Sequence, residues 1–443
     1  MQPVDLLISP RWILPIEPDG AVLEDYSVAV HAGRIVEIGP TPSMAGRYQP
    51  AQTVMRDSHV LLPGLVDAHT SAARSLLRDA LPVAPGALPP ASGLRPLEHR
   101  WASAEFVRAG TLNAIAGMLR AGITCFADTY LFPEEVARLA GELRMRIAVG
   151  VPVIEAQNPW CGGAQDAIDR AAALWDAHKT DPWARLQFVP DPPGALRPET
   201  LERLRRIADQ LDAPVAMRLH ESPATVRAFE SEHGERPLAW LARLGLLRPG
   251  FTALHANHLT PGEIDELARS GVAVVHCPTA GLRLASGTAP LAAMAARGVC
   301  VALGSGAAMA GIVAPDMLAE ARLAALLAAA SPTPDTAIPG ASFVLRMATL
   351  EGARTLGLAG EIGSIVPGKA ADLACVDLRV TAPGSASRVP DALVYEACAR
   401  DVTDVWIAGR AQLKERELSL LDAARISDAA RQWSARMGTG GQR

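Results

Sequence analysis

A repeated change of period, from unbroken apolar runs to amphipathic stretches, governs the middle of this 443-residue chain, from about Leu61 to Leu356. Val60-Leu-Leu-Pro-Gly-Leu-Val, Arg146-Ile-Ala-Val-Gly-Val, Val215-Ala-Met-Arg-Leu, Phe251-Thr-Ala-Leu-His, Val272-Ala-Val-Val-His and Val299-Cys-Val-Ala-Leu-Gly are short runs without polar alternation. Between them lie helical stretches such as Pro261-Gly-Glu-Ile-Asp-Glu-Leu-Ala-Arg. Strands apolar on both faces must be covered on both faces, as in a parallel sheet wrapped by helices. So many βα repeats in succession predict an α/β fold of the (β/α)8 TIM-type barrel kind more readily than an open sheet. Barrels place their chemistry at the carboxyl ends of the strands, so the polar residues that terminate these runs are the candidates. Leu81 to Pro96 breaks the pattern with Pro, Gly and Ala and predicts a loop over the barrel mouth.

The two ends of the chain read as strands. Asp5-Leu-Leu-Ile-Ser, Ser27-Val-Ala-Val-His and Arg34-Ile-Val-Glu-Ile are β-branched runs, with Ala32-Gly33 as a hairpin turn. Gly363 to Lys369, Ala371 to Asp377 and Val402 to Arg410 form a similar set near the other end. These predict a small β-sandwich built from residues 1–60 plus 362–415, around a barrel at 61–361. Residues 416–443 read as a closing helix to about 436 and a tail that frays from Gly438.

Several classes are excluded by composition. An apolar share of 49% is ample for a core, which argues against a disordered chain. Net charge is -5, and of 42 basic residues only Lys179, Lys369 and Lys414 are lysine. The arginines are scattered rather than gathered into a phosphate-binding patch, so no nucleic-acid partner is expected. None of the six cysteines forms a Cys-x-x-Cys pair, which speaks against a zinc ribbon or thioredoxin-type site. The opening MQPVDLLISPRW lacks the basic and apolar regions of a signal peptide, and Leu318 to Ala330 contains Glu320 and Arg322 and is too short for a bilayer. A cytoplasmic protein without a membrane partner is the expectation.

The strand ends then carry a family likeness. Leu62-Pro-Gly-Leu-Val-Asp-Ala-His69-Thr-Ser71, Leu76-Leu-Arg78, Leu219-His220-Glu221, Leu254-His255-Ala-Asn-His258, His276-Cys-Pro278, Leu284-Ala-Ser-Gly287, Val301-Ala-Leu-Gly304, Met347-Ala-Thr and Gly363-Ser-Ile-Val-Pro-Gly-Lys occur in order along nearly the whole chain. Together they resemble the amidohydrolase superfamily, in its methylthioadenosine/S-adenosylhomocysteine deaminase branch, close to triazine chlorohydrolases and guanine deaminases. The resemblance implies hydrolysis of a purine C–N bond through one zinc or iron ion. That ion would be held by His-x-His after the first barrel strand, a His after the fifth and an Asp after the eighth, and would lower the pKa of a bound water. It also implies that Glu221 shuttles protons and His255 polarises the reacting group, and it makes Arg78, Asp191 and His258 substrate-binding candidates.

Carried over residue by residue, the ligand set departs from this pattern. His69 keeps the first position, but the second is Ser71, the fifth-strand position is Arg218 and the eighth-strand position is Gly306. A hydroxyl is a poor zinc donor, glycine has no side chain, and a guanidinium cannot be deprotonated in a protein. A monovalent cation ~4 Å from a dication costs about 8 kcal/mol at an effective dielectric constant near 20. The expectation is a degenerate metal site with His69 as its remnant and no bound cofactor. The family's Pro-His-Ala-Pro-Tyr motif appears as Pro190-Asp191-Pro-Pro-Gly194, and its Pro-x-Ser-Asn motif as Pro278-Thr-Ala-Gly281. Arg218 is expected to pair with Glu221, three positions along, as an internal substitute for the lost cation.

Two readings stay open. In the first, the chain is a non-catalytic homologue that binds a purine-like molecule, a homo-oligomer or the hetero-oligomeric partner of an active relative. In the second it is an active deaminase, either through a metal site rebuilt from His220, His255, His258 and Asp191, or through metal-independent chemistry of Glu221 and His255. A purely structural oligomer has no positive support.

Overall fold

The computed structural model describes residues 1–81, 94–306, 315–331, 336–381 and 383–439. At its centre stand eight parallel strands: β1 (Leu65–Thr70), β2 (Ile123–Asp128), β3 (Arg146–Val153), β4 (Ala184–Pro190), β5 (Val215–Leu219), β6 (Phe251–His255), β7 (Ala273–His276) and β8 (Val301–Leu303), each paired to the next. Every residue of β1, β2, β3 and β6 is buried, the two-sided burial that unbroken apolar runs call for. The intervening helices start and stop on local signals. Thr260 and Glu263 form a reciprocal cap at the head of Pro261–Ser270, and Gly271 at φ 68° ends it.

The circuit closes from β8 back to β1. Gly306 N–H donates to His69 O at 2.9 Å, and the Ser305 N–H and hydroxyl donate to the Asp67 carboxylate at 2.8 and 2.5 Å. The expected TIM-type barrel is present, with Phe106, Phe126, Phe188 and Phe251 fully buried around it.

As expected, the two chain ends meet in one unit, a nine-stranded mixed sheet. Its middle is the sixteen-residue strand Tyr48–Pro63, which pairs in parallel with Gln2–Ile13 and, over its last residues, antiparallel with Leu373–Asp377. One long strand therefore serves both halves. The hairpin between Tyr26–His31 and Arg34–Pro40 turns at Ala32 and Gly33, both at positive φ, as a tight two-residue turn requires. Gly64, where the long strand passes into β1, is needed for close approach and not for turning. A Cβ there would lie 2.0 Å from the Thr124 hydroxyl oxygen.

Other expectations are corrected at the edges. Glu417–Leu418 pairs as a short strand with Arg410–Lys414, so the closing helix is Ala423–Thr439 and Gly438 is still helical. That helix is pinned by Trp433, edge-on to Phe106 at 5.2 Å. Of the proposed mouth loop, residues 82–93 lie outside the described ones, and Arg95–Trp101 is a helix. Among the described residues no helix is long and apolar enough to cross a membrane.

Candidate ligand site at the barrel mouth

Parallel strands of similar length bring their final residues to one rim. His69 is the last residue but one of β1, with Ser71 two residues on; Asp191 follows β4; Arg218 lies in β5, with His220 and Glu221 after it; His255 and His276 end β6 and β7; Gly306 follows β8. The imidazoles of His69 and His255 meet edge-on with ring centroids 5.4 Å apart. They are 3% and 0% exposed, and none of their four ring nitrogens has a hydrogen-bond partner among the described residues. Such orphaned polar atoms are uncommon in a folded interior.

Both imidazoles are held neutral. Burial pushes the His69 pKa well down, aided by His255 and by the guanidinium charges of Arg218 and Arg74. Burial also lowers His255, and Arg218 adds to this while Glu221 opposes it. The Glu221 Oε1 lies 3.9 Å from His255 Nε2. His276 is driven down to about 3, by burial first and His255 second.

The expected Arg218–Glu221 pairing gives way to another arrangement. Arg218 Nη2 lies 3.5 Å from Asp191 Oδ1, while Glu221 faces His255. The cause is His220, at φ 48°, whose left-handed turn separates the two residues in direction. Asp191 is also bound by Arg95 from the helix Arg95–Trp101. Deeper in the mouth, Arg74 Nε donates to Glu98 Oε1 at 2.8 Å, both side chains buried, with the guanidinium 5.4 Å from the Tyr130 ring centre.

The other expected metal positions are occupied differently. The Ser71 hydroxyl donates to Thr129 O at 3.3 Å and lies 3.0 Å from the Thr129 hydroxyl. Gly306 is left-handed, at φ 51°, and a Cβ there would come within 2.8 Å of Ala280 Cβ and 4.0 Å of His255 Cε1. That position faces the imidazoles, but Ala280 has taken its space.

The set His220, His255, His258 and Asp191 is not brought together. His220 Nδ1 points to Glu263 at 3.7 Å and Arg236 at 3.4 Å, and burial lowers its pKa to about 4. The His258 Nε2–H donates to Ser286 O at 2.6 Å, fastening a loop. Asp191 is taken by two guanidiniums. Among the described residues no three His, Cys, Asp or Glu side chains converge as a metal-holding group. Arg78 pairs with Asp79 at 3.2 Å and lines a surface groove with Asn113 and Ser434, away from the mouth.

Two chambers result. The inner one, about 60 Å³, is lined by His69, Arg74, Glu98, Tyr130, Asp191 and Arg218. The outer, about 320 Å³, has apolar walls from Pro192, Pro193, Val226 and Phe229, with Arg95, Asp191, Arg218, Glu221 and Glu232 among its polar groups. Asp191 and Arg218 border both. Sequence reasoning missed Arg74, Arg95, Glu98 and Tyr130. Arg74 and Glu98 flank the Pro/Gly/Ala stretch, Arg95 lies at its end and Tyr130 follows β2, and no motif quoted above includes them.

Residues 60–411 match the amidohydrolase family. A 5-methylthioadenosine/S-adenosylhomocysteine deaminase of Teredinibacter turnerae is 34% identical over 435 residues, 98% of each chain. Its counterpart from Syntrophobacter fumaroxidans is 35% identical over 431 residues, 96% of this chain and 97% of the relative. Among solved structures, an adenosine deaminase from Xanthomonas campestris with bound zinc superposes with a TM-score of 0.93 at 40% identity, covering 99% of both chains. Atrazine chlorohydrolase from Arthrobacter aurescens, complexed with zinc, superposes at 0.87 with 22% identity over 97% of this chain and 100% of its own, a likeness of fold alone.

Proposed function

The chain belongs to the amidohydrolase family, and from that premise we propose that it is a ligand-binding homologue of purine-nucleoside deaminases that has given up zinc-dependent deamination. The observation that carries this reading is Arg218, a permanent cation at the fifth-strand position, whose charge acts on both His69 and His255. A dication is a poor fit beside it. Ser71 spends its hydroxyl on Thr129, Gly306 supplies no donor, and His69 alone is one ligand where a stable site needs three or four. The outer chamber has the mixed character of a small-molecule site, apolar walls with a few converging polar groups, and its size suits a purine-like ring.

Metal analysis of the purified chain, alongside an ultraviolet assay on adenosine, methylthioadenosine and S-adenosylhomocysteine, tests this. Substoichiometric zinc without turnover is the expected result; one equivalent of zinc with turnover refutes it. A second reading rests on Glu221 Oε1 lying 3.9 Å from His255 Nε2, a carboxylate and a neutral imidazole placed for proton exchange. Turnover that survives exhaustive chelation and is lost in Glu221→Gln would favour that reading over the first.

A further inference from the structure

At the face of the barrel opposite the mouth, we propose a second ligand site, a cleft that takes a small carboxylate with a flat apolar body, its carboxylate held by Arg185 and Gln187. This inference does not rest on the reading of the mouth. The cleft, about 560 Å³, opens at the amino ends of β3 and β4, between the helix Ala164–His178, residues 355–361 leaving the barrel, and Arg34 of the sheet. Gln187 marks it as more than a crevice. It is the fourth residue of β4, 6% exposed, and it lines the cleft, yet its carboxamide makes no hydrogen bond among the described residues. An apolar side chain of the same length would fill that space without leaving two donors and an acceptor unmet. Such an amide, open to a cavity of ligand size, is matched to a polar group from outside.

Water alone could meet an amide, so the class of ligand rests on its neighbour. Arg185 stands two positions earlier and leaves the same face of the strand, with the two Cβ atoms roughly 6–7 Å apart. Its Nη1 donates to Gly357 O at 2.8 Å, which pins the guanidinium, while the Nε–Nη2 edge meets no acceptor among the described residues. That edge is one of the two by which a guanidinium grips a carboxylate through parallel bonds. The other cations of the wall are already met: Arg146 by Asp372, Arg34 by Glu361 at 3.1 Å and Lys179 by Asp176 at 3.3 Å. Of the remaining acids, Asp181 accepts the Trp183 N–H at 2.8 Å and faces His178, and Asp212 is exposed at the end of the helix Pro198–Leu211, screened by water. The apolar body has its own wall in Leu186, Leu356, Leu358 and Trp175, whose ring stacks on Phe188 at 6.0 Å with 17° between planes.

The test is calorimetric titration of the full chain with indole-3-carboxylate, its neutral isostere indole-3-carboxamide, and inorganic phosphate. The carboxylate should bind at least about tenfold tighter than either of the others. Arg185→Met should erase that preference, and Arg185→Lys, which keeps the charge and loses the fork, should weaken carboxylate binding several-fold. Gln187→Met should also weaken it several-fold, while the unliganded variant melts no lower than the parent. Equal binding of carboxylate and carboxamide, binding of neither, or a preference that survives Arg185→Met overturns the proposal. Phosphate binding without indole-3-carboxylate binding overturns it too, since the apolar body would then have no part. Should Arg185→Met fail to fold, Gln187→Met decides: undiminished carboxylate affinity, or a melting temperature several degrees lower, shows that the amide is satisfied within the protein.

Discussion

Two arginine–aspartate pairs stand at opposite ends of the barrel, and they differ in how closely they are joined. At the amino ends of the strands, Arg146 meets Asp372 through Nε at 2.7 Å and Nη2 at 3.3 Å. Its Nη1 donates to Pro182 O, the Trp183 ring lies 5.1 Å from the guanidinium, and Asp372 also accepts the Ala408 N–H at 2.8 Å. At the carboxyl ends, Arg218 and Asp191 approach only to 3.5 Å, beside imidazoles with unmet hydrogen-bonding capacity. The same two residue types meet through two hydrogen bonds at one face and through a single contact at the limit of one at the other, so it is the geometry of the pair and not its presence that separates the two ends.

The sharpest way to break this comparison is to remove the cation of the closer pair. Arg146→Met leaves Asp372, its side chain 1% exposed, without its cation and should cost about 3–5 kcal/mol in denaturant unfolding. A loss below that of Arg218→Met would reverse the order of the two pairs. Next in size is the attempt to convert the mouth back to a metal site. Gly306→Asp forces a Cβ to within 2.8 Å of Ala280 Cβ, an overpacking worth about 1–3 kcal/mol, partly relieved by Ala280→Gly. Together with Ser71→His and Arg218→His it should still bind less than one equivalent of zinc, because the wall behind residue 306 has closed in. A full equivalent by metal analysis would show that the backbone has not drifted.

A smaller effect concerns buried ionisable groups whose desolvation outweighs their partners. Burial raises Glu320 to about 8, above its model-peptide value of 4.5, so its contribution to stability is present below about 4.5 and lost as pH rises toward 8. His276, lowered to about 3, and His220, lowered to about 4, run the other way: their contribution is present above 6.5 and lost as pH falls. Stability should therefore decline between pH 6.5 and 8, and Glu320→Gln should flatten that slope, a difference of about 1–2 kcal/mol in pH-dependent unfolding. An alkaline slope unchanged in the variant would place the titration elsewhere. Smallest of all is Arg78→Ala. Its ion pair with Asp79 is more than half exposed, so unfolding should shift by less than about 0.5 kcal/mol and ligand affinity should stay constant.

Much of the architecture was legible because it rests on period. Runs such as Val215–Leu219 and Phe251–His255 can be satisfied only by two-sided burial, and that requirement leads to the barrel. The joining of both ends in one sheet was legible for the same reason. The sixteen-residue reach of Tyr48–Pro63 was not, since its exposed first half reads as loop. At the mouth, the positions of His69, Glu221 and His255 were legible through the motifs of the family likeness, which fall at or just after strand ends. The partner of Arg218 was not, because it depends on a left-handed turn at His220 that no residue type there announces. Arg95 and Glu98 were hidden for a third reason: their approach to the mouth is a tertiary event, set by how one short helix docks.

The long central strand also fixes an order of events. Pro63 and its neighbours pair with Leu373–Asp377, so the edge on which the first sixty residues depend is synthesised some three hundred positions later. During translation the barrel segments emerge while the opening strands wait with one flank uncovered, and the sheet is completed only as the last portion leaves the ribosome. A premature stop before residue 373 would thus disable the beginning of the protein as surely as its end.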